Sequence, residues 1–363
     1  MSLSGCYILG DTMKIIITVA LLISTTSTYA AEIFNKDGNK LDLYGSVRAR
    51  HYFSDNKKVD GDATYVRLGF KGETQINNNL TGFGQWEYNF QGNNSEGSDA
   101  QTGNKTRLAF AGIKFSRYGS FDYGRNWGIT YDVAAITDKA PIFDELTYSS
   151  ADNFMTGRAT GLLTWRNRDF FSLIDGLDVS AQYQGSNHSD RTAMTSNGDG
   201  YGFSLSYEVF DSLTILSAFS SSRRTTAQQR LKWAHGDRAD IWAAGVKYDR
   251  DGLYLAALYS DSHNLTKISS SGYANKAESY EAVASYTFST GVKPFIGYFR
   301  SRGRDIEQVG KADIVNYVDV ALSYYFNKNF LAYTDYKVNL LKDDNPLGVN
   351  SYDKFGLGLT YQF

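Results

Sequence analysis

The chain has 363 residues, a formal net charge of −2, 15% aromatic side chains, 34 Gly and only three Pro. The balanced charge argues against nucleic acid as a partner, and a negative mean hydropathy argues against a bundle of membrane helices. This length suits two ordinary domains or one large β structure, and an aromatic, Gly-rich, moderately polar chain suits a barrel with an apolar outside and a wet inside.

The first 30 residues read as an export signal. Lys14 precedes the mostly apolar run Ile15–Ile23, and a small, polar tail follows to Ala30. Thr28-Tyr29-Ala30 fits a signal-peptidase site loosely, with small residues at its first and third positions. The run is too short to cross a bilayer as a helix. The signal is expected to begin at Met13; a buried core helix is the other reading. Cys6 is the only cysteine, so the mature chain from residue 31 would hold no disulfide, no Cys metal site and no Cys nucleophile.

Alternation of period two then begins. In 41–53, Leu41, Leu43, Gly45, Val47 and Ala49 alternate with Asp42, Tyr44, Ser46, Arg48 and Arg50. In 64–76, Val66, Leu68, Phe70 and Ile76 alternate with Tyr65, Arg67, Lys71, Glu73 and Gln75. In 81–91, Trp86, Tyr88 and Phe90 alternate with Gln85, Glu87 and Asn89. Each set occupies one face of a sheet. The same pattern returns in Val318, Val320, Leu322, Tyr324 and Phe326, and closes the chain in Phe355, Leu357, Leu359, Tyr361 and Phe363. A soluble β-sandwich also alternates. The strands here are about ten residues long, beyond the usual sandwich length of about six.

The connections alternate as well. Seven short turns are read at 77–79, 118–119, 167–176, 210–211, 249–252, 289–291 and 327–329. Between them lie eight long polar loops, at 54–63, 92–104, 125–158, 185–199, 220–239, 261–277, 301–313 and 340–350. Together they imply sixteen strands, with short turns at one rim and long loops at the other. That strand number leaves an aqueous lumen. No linker, low-complexity tract or short-period repeat divides the chain, so residues 31–363 are read as one barrel domain.

The third long loop, Arg125–Arg158, breaks the pattern. It carries Asp132, Asp138, Asp144, Glu145 and Asp152, together with Pro141. A long loop without a clean period is functional or disordered, and its Tyr, Phe, Trp and Ile content argues for order.

Several blocks then resemble the enterobacterial general-diffusion porins, the OmpF/OmpC/PhoE family: residues 69–112, GSFDYGRN (119–126), VNYVDVALSYYFNKN (315–329) and the terminal YQF. The resemblance covers essentially the whole mature chain. It implies an all-β fold, a 16-stranded antiparallel transmembrane β-barrel with an inward-folded third external loop. It further implies a homotrimer in the outer membrane of a Gram-negative bacterium, set among lipid and lipopolysaccharide and inserted by the barrel-assembly machinery. Each subunit would be a water-filled channel for passive diffusion of small hydrophilic solutes and ions, with no cofactor and no metal.

Carried over residue by residue, the basic wall of the constriction would be Arg67, Arg107 and Arg158, and Arg67 also falls on the polar phase of its strand. Ser46 stands where the family usually has Lys; Arg48 and Arg50, on the same face, are expected to restore charge at another depth. The family's loop motif PEFGGD reads here Pro141-Ile142-Phe143-Asp144-Glu145-Leu146. The acids expected on the loop are therefore Asp138, Asp144 and Glu145, with larger side chains where the family has glycine. Opposed charges across a narrow wet gap would filter solutes by size, polarity and charge without a tight site. Glu96, in the second loop, would latch onto basic groups such as Arg125 of a neighbouring subunit, and Phe363 resembles the terminal assembly signal.

Two other functions compete. An outer-membrane barrel enzyme needs a base beside a nucleophile or activated water. His188, His235 and His263 are read in loops without such a motif, and His51 on the outward phase of its strand. A substrate-specific or narrowed porin would show a lumen ladder of aromatics or lysines, which the sequence does not display; the altered loop motif keeps this alternative open. No nucleotide-binding or metal-ligand motif is present.

Overall fold

A computed structural model describes residues 31–143, 145–268 and 272–363; the expected export signal, with Met13 and Cys6, and Asp144 lie outside them. Eighteen strands pair in one sheet. Apart from the short Ala31–Lys36 and Gly61–Asp62, sixteen of them form a closed antiparallel ring. The ring strands run from eight residues (Leu177–Gln184) to sixteen (Gly310–Tyr325). First and last strands close it, with Ser46 opposite Gln362 and Phe53 opposite Phe355. Phe363 adds two backbone bonds to Gly45, at 2.9 and 3.1 Å. Below them Ala31–Lys36 folds back onto residues 39–43.

Alternation sorts the two faces. Val47, Phe70, Phe203, Ile296, Val320, Leu322 and Leu359 are exposed, whereas Tyr44, Ser46, Ser180, Glu281 and Asp335 are buried. In a soluble sandwich the apolar set would be buried between sheets. Here it forms the outer surface, where a charge at midplane would cost roughly 2–4 kcal/mol in lipid.

The turns at one rim are tight, as at Asp251-Gly252, where both residues take positive φ. Between Asn167 and Leu177 the four residues Asp169–Ser172 all have positive φ, so this longer connection winds left-handed. At the other rim one expectation fails. Residues 301–313 are mainly strand: Val292–Ile306 and Gly310–Tyr325 continue as one hairpin with its tip at Glu307–Val309. The polar residues that suggested a loop face outward beyond the apolar band. There Arg300 pairs with Asp313 and Arg304 with Glu278. Inward, Ile306, Ala312 and Ile314 pack against Trp233, Ile268 and Leu347 from three other loops. Similarly, strands Leu213–Arg223 and Arg238–Arg250 shorten the loop expected at 220–239. His263 ends the strand Leu253–His263 instead of lying in a loop.

Candidate functional site

Residues 128–157 fold into the barrel, because their partners are lumen-facing side chains of distant strands. Gly128 N–H donates to Gly157 O at 2.9 Å and closes the neck. The helical turn Tyr131–Ala134 follows, and Asp132 in it pairs with both terminal nitrogens of Arg166 at 2.8 and 3.0 Å. Ser204 adds a bond to Asp132 at 2.6 Å. Across the lumen the buried Glu281 accepts from the Thr137 hydroxyl and from Thr147 N–H and Oγ1, the latter two at 2.7 Å. Further on, Asp335 accepts from the N–H groups of Ile142 and Phe143 at 2.9 and 3.2 Å. Tyr317 donates to Glu145 O at 2.8 Å.

Apolar contacts fill in between these tethers. Val133, Ala134, Tyr148 and Phe154 pack on Ala218, Ala239, Ile241, Ala243 and Leu258. Ile142 and Phe143 pack on Leu331 and Tyr333. Gly356 is bare where Ile142 docks: a Cβ there would lie 2.6 Å from Ile142 Cδ1. The loop thus covers the wall of the later strands.

The arginines stand on the other side. The Tyr65 ring has Arg48, Arg50 and Arg67 at 5.8, 5.2 and 4.9 Å from its centroid, a spacing at which cation–π attraction holds each guanidinium over the ring. Arg158 lies 4.6 Å over Trp127, which stacks on Tyr131 at 3.8 Å. Arg158 is within electrostatic reach of Arg107 and Arg67. Arg107 is ion-paired to Glu87, and Tyr44 donates to the same carboxylate at 3.2 Å. The exposed Lys105 adds a further positive charge beside this cluster. Arg48 Nε reaches back to Ser46 Oγ at 3.3 Å, so a cation stands beside the serine. Arg50 has another task. It donates to Pro141 O at 2.6 Å and to Tyr333 Oη at 3.0 Å, and so pins the loop.

Arg107 enters the lumen through a β-bulge. Glu87 pairs with Leu108 and Tyr88 with Thr106, which leaves Arg107 as the extra residue. Uninterrupted alternation would have put it on the outer phase with Ala109, Ala111 and Ile113. The bulge turns Arg107 inward beside Leu108, which is already on the inner phase and buried.

The expected loop acids separate. Asp138 accepts from Tyr131 Oη at 2.5 Å. Glu145 does not oppose the arginines: Lys337 and Lys354 both bond its carboxylate. Burial works against its charged form, but the two lysines outweigh that and hold its pKa down to about 2. Asp144 lies outside the described residues. Glu96 is exposed in its loop. Arg125 is engaged by Asp152 of its own chain, at 2.7 and 3.0 Å, and Arg191 stands 3.5 Å from the same carboxylate. The histidines do not assemble a catalytic group. His188 bonds Ser186 and His235 faces Glu307 in loops, His263 lies beside Asp261, and His51 packs at a tilt against Phe53.

Sequence reasoning missed Glu281, Asp335, Lys337 and Lys354, which hold the loop. Their signal was available, because each is a charged residue at the phase of its strand that alternates with outward apolar side chains such as Tyr280, Tyr336 and Leu357. Tyr65 and Lys105 were missed as well.

A closed barrel with an apolar exterior, a charged lumen and a loop folded across it defines an outer-membrane channel. The model of the Gram-negative porins matches residues 36–363. Outer membrane porin PhoE of Klebsiella pneumoniae is 54% identical over 351 residues, covering 95% of this chain and 99% of that protein. Outer membrane porin F of Escherichia coli K12 is 51% identical, covering 96% and 98%. The solved structure of Salmonella typhi OmpF in complex with daunomycin superposes with a TM-score of 0.85 at 45% identity, covering 92% of this chain and all of that one. This chain belongs to the Gram-negative porin family. It is an outer-membrane general-diffusion porin, a channel and not an enzyme.

Proposed function

We propose that this porin forms a homotrimer of water-filled pores whose constriction favours small anions over cations. One observation carries the selectivity. Arg48, Arg67, Arg158 and Lys105 gather with Arg107 on one wall, while the nearby acids are largely committed, Glu87 to Arg107, Asp132 to Arg166 and Glu145 to two lysines. An excess of fixed positive charge in a narrow wet passage raises the local anion concentration. Glu145 is bonded by Lys337 and Lys354 on the last two strands, so its charge is matched there. The test is the reversal potential of reconstituted trimers under a potassium chloride gradient. A potential of the sign set by chloride supports the reading, and one set by potassium overturns it.

The trimer reading rests on Arg125 and Arg191. Both flank Asp152 and leave one positive charge over at the loop rim. A carboxylate from a neighbouring subunit's second loop, Glu96 in this numbering, fits that excess. The exposed aromatic and aliphatic outer wall fits lipid, with lipopolysaccharide in the outer leaflet. Phe363, bonded to Gly45 at the closing seam, fits the role of terminal signal for the assembly machinery.

A further inference from the structure

We propose that Lys139, Lys247 and Lys293 form a second anion station, at the short-turn end of the pore, for small solutes carrying two or more negative charges. The inference rests on the anion preference argued above and extends it to a different part of the lumen. Lys139 belongs to the inward loop. Its ammonium lies 5.4 Å over the ring of Tyr254, whose hydroxyl donates to Ile136 O at 2.6 Å and so fixes this part of the loop to the wall. Lys247 and Lys293 stand close enough to repel Lys139. Both are on the lumen phase near tight turns: Lys247 precedes Asp251-Gly252, and Lys293 follows Gly291. Tight turns mark the periplasmic rim.

The acids within reach of Lys139 are Asp138 and Asp249. The Tyr131 hydroxyl bonds Asp138 without cancelling its charge, and Asp249 also lies near Lys293, so the three lysines exceed these two acids by one positive charge. None of the three lysines forms an ion pair among the described residues, unlike Arg107, Arg166, Lys337 and Lys354, which are matched by carboxylates. Burial lowers the Lys139 pKa, so its charge is poorly hydrated and gains from an incoming anion. Lysine ammoniums are mobile point charges on flexible stems. Three of them suit a multiply charged solute of varied shape, held weakly enough to leave. The arginine wall lies toward the long-loop rim, so the two groups stand in series along the pore. Conduction is helped when a solute finds several weak sites in place of one tight one.

The experiment measures block of chloride current in single trimers by citrate added to one side at a time, with orientation assigned by one-sided protease trimming of the external loops. In the unaltered protein, citrate from the short-turn side should block at about fivefold lower concentration than in Lys139→Met. The double variant Lys247→Gln/Lys293→Gln should lose the side dependence as well, and it leaves the loop sequence intact in case Lys139→Met loosens the loop. Block unchanged in all variants, with chloride still preferred, overturns the second station and leaves the constriction reading standing. A potassium-set reversal potential in the unaltered protein overturns the constriction reading itself.

Discussion

Arg67 and Arg107 sit on the same wall but differ in what holds them. Arg67 rests on Tyr65 and reaches Asn89 at 3.4 Å, whereas Arg107 shares a carboxylate with Tyr44. Two unit charges 4 Å apart in water interact by about 1 kcal/mol, and salt at 0.1 M trims this further. Arg67→Ser should therefore lower the chloride-to-potassium permeability ratio by about two- to threefold. Arg107→Ser should do at least as much, because it turns a neutral Arg107–Glu87 pair into an uncompensated carboxylate that the Tyr44 hydroxyl bonds without cancelling its charge; an unchanged ratio would show that the paired arginine has no part in the selectivity. Glu145 gives a pH prediction. Its folded pKa is depressed from the ordinary 4.5 to about 2, so its contribution is fully present above about 4.5 and is lost as pH falls through about 2. Glu145→Gln should make the open-channel current flicker more than wild type at pH 7, and the two should converge only as the pH drops toward 2. Convergence already at pH 5 would remove Glu145 as a loop tether.

At the scale of elements, the inward loop is held by polar tethers at intervals and by its neck. Gly128 and Gly157 are needed where the chain crosses itself: a Cβ on Gly128 would stand 2.3 Å from the Met155 carbonyl, and one on Gly157 would stand 2.4 Å from Ser150 O. Both obstacles are backbone, so neither can swing aside. Gly157→Ala should destabilise the loop by about 1–3 kcal/mol, the usual cost of overpacking. It should appear as faster proteolysis within 128–157 while the barrel stays intact; an unchanged cleavage rate would mean that the neck adjusts freely. The strands were legible because one face must meet lipid, which writes apolar residues at every second position in Val318–Phe326 and Phe355–Phe363. The loop's existence was legible too, as a long unperiodic stretch. Its contacts were not, since Asp335 and Ile142 meet only after the barrel closes. Arg107 shows the limit most clearly. Periodicity assigns it to the outside and a single bulged residue reverses that, so only resemblance to porins could place it in the lumen. The hairpin Val292–Tyr325 fails for the opposite reason: its strands outrun the membrane, and the polar residues above the lipid look like loop.

For the whole molecule, the subunit contact turns on charge left over at one rim. Within the chain, Arg125 and Arg191 share the single carboxylate of Asp152, and Glu96 is exposed in its loop. Exposed ion pairs contribute under about 1 kcal/mol each, but a closed ring of three repeats every contact three times. Glu96→Arg should therefore lower the temperature at which the trimer dissociates in detergent. The barrels themselves should survive, because sixteen strands close each ring independently. Arg125→Glu alone should also weaken the trimer, and it would disturb Asp152 in its own chain as well. The exchanged pair, Glu96→Arg with Arg125→Glu, separates the two effects. Partial recovery of the dissociation temperature over either single change requires that the two positions meet. If the double change is no more stable than the sum of its parts, the loop reaches some other group, and the excess positive charge around Asp152 serves the rim of its own pore.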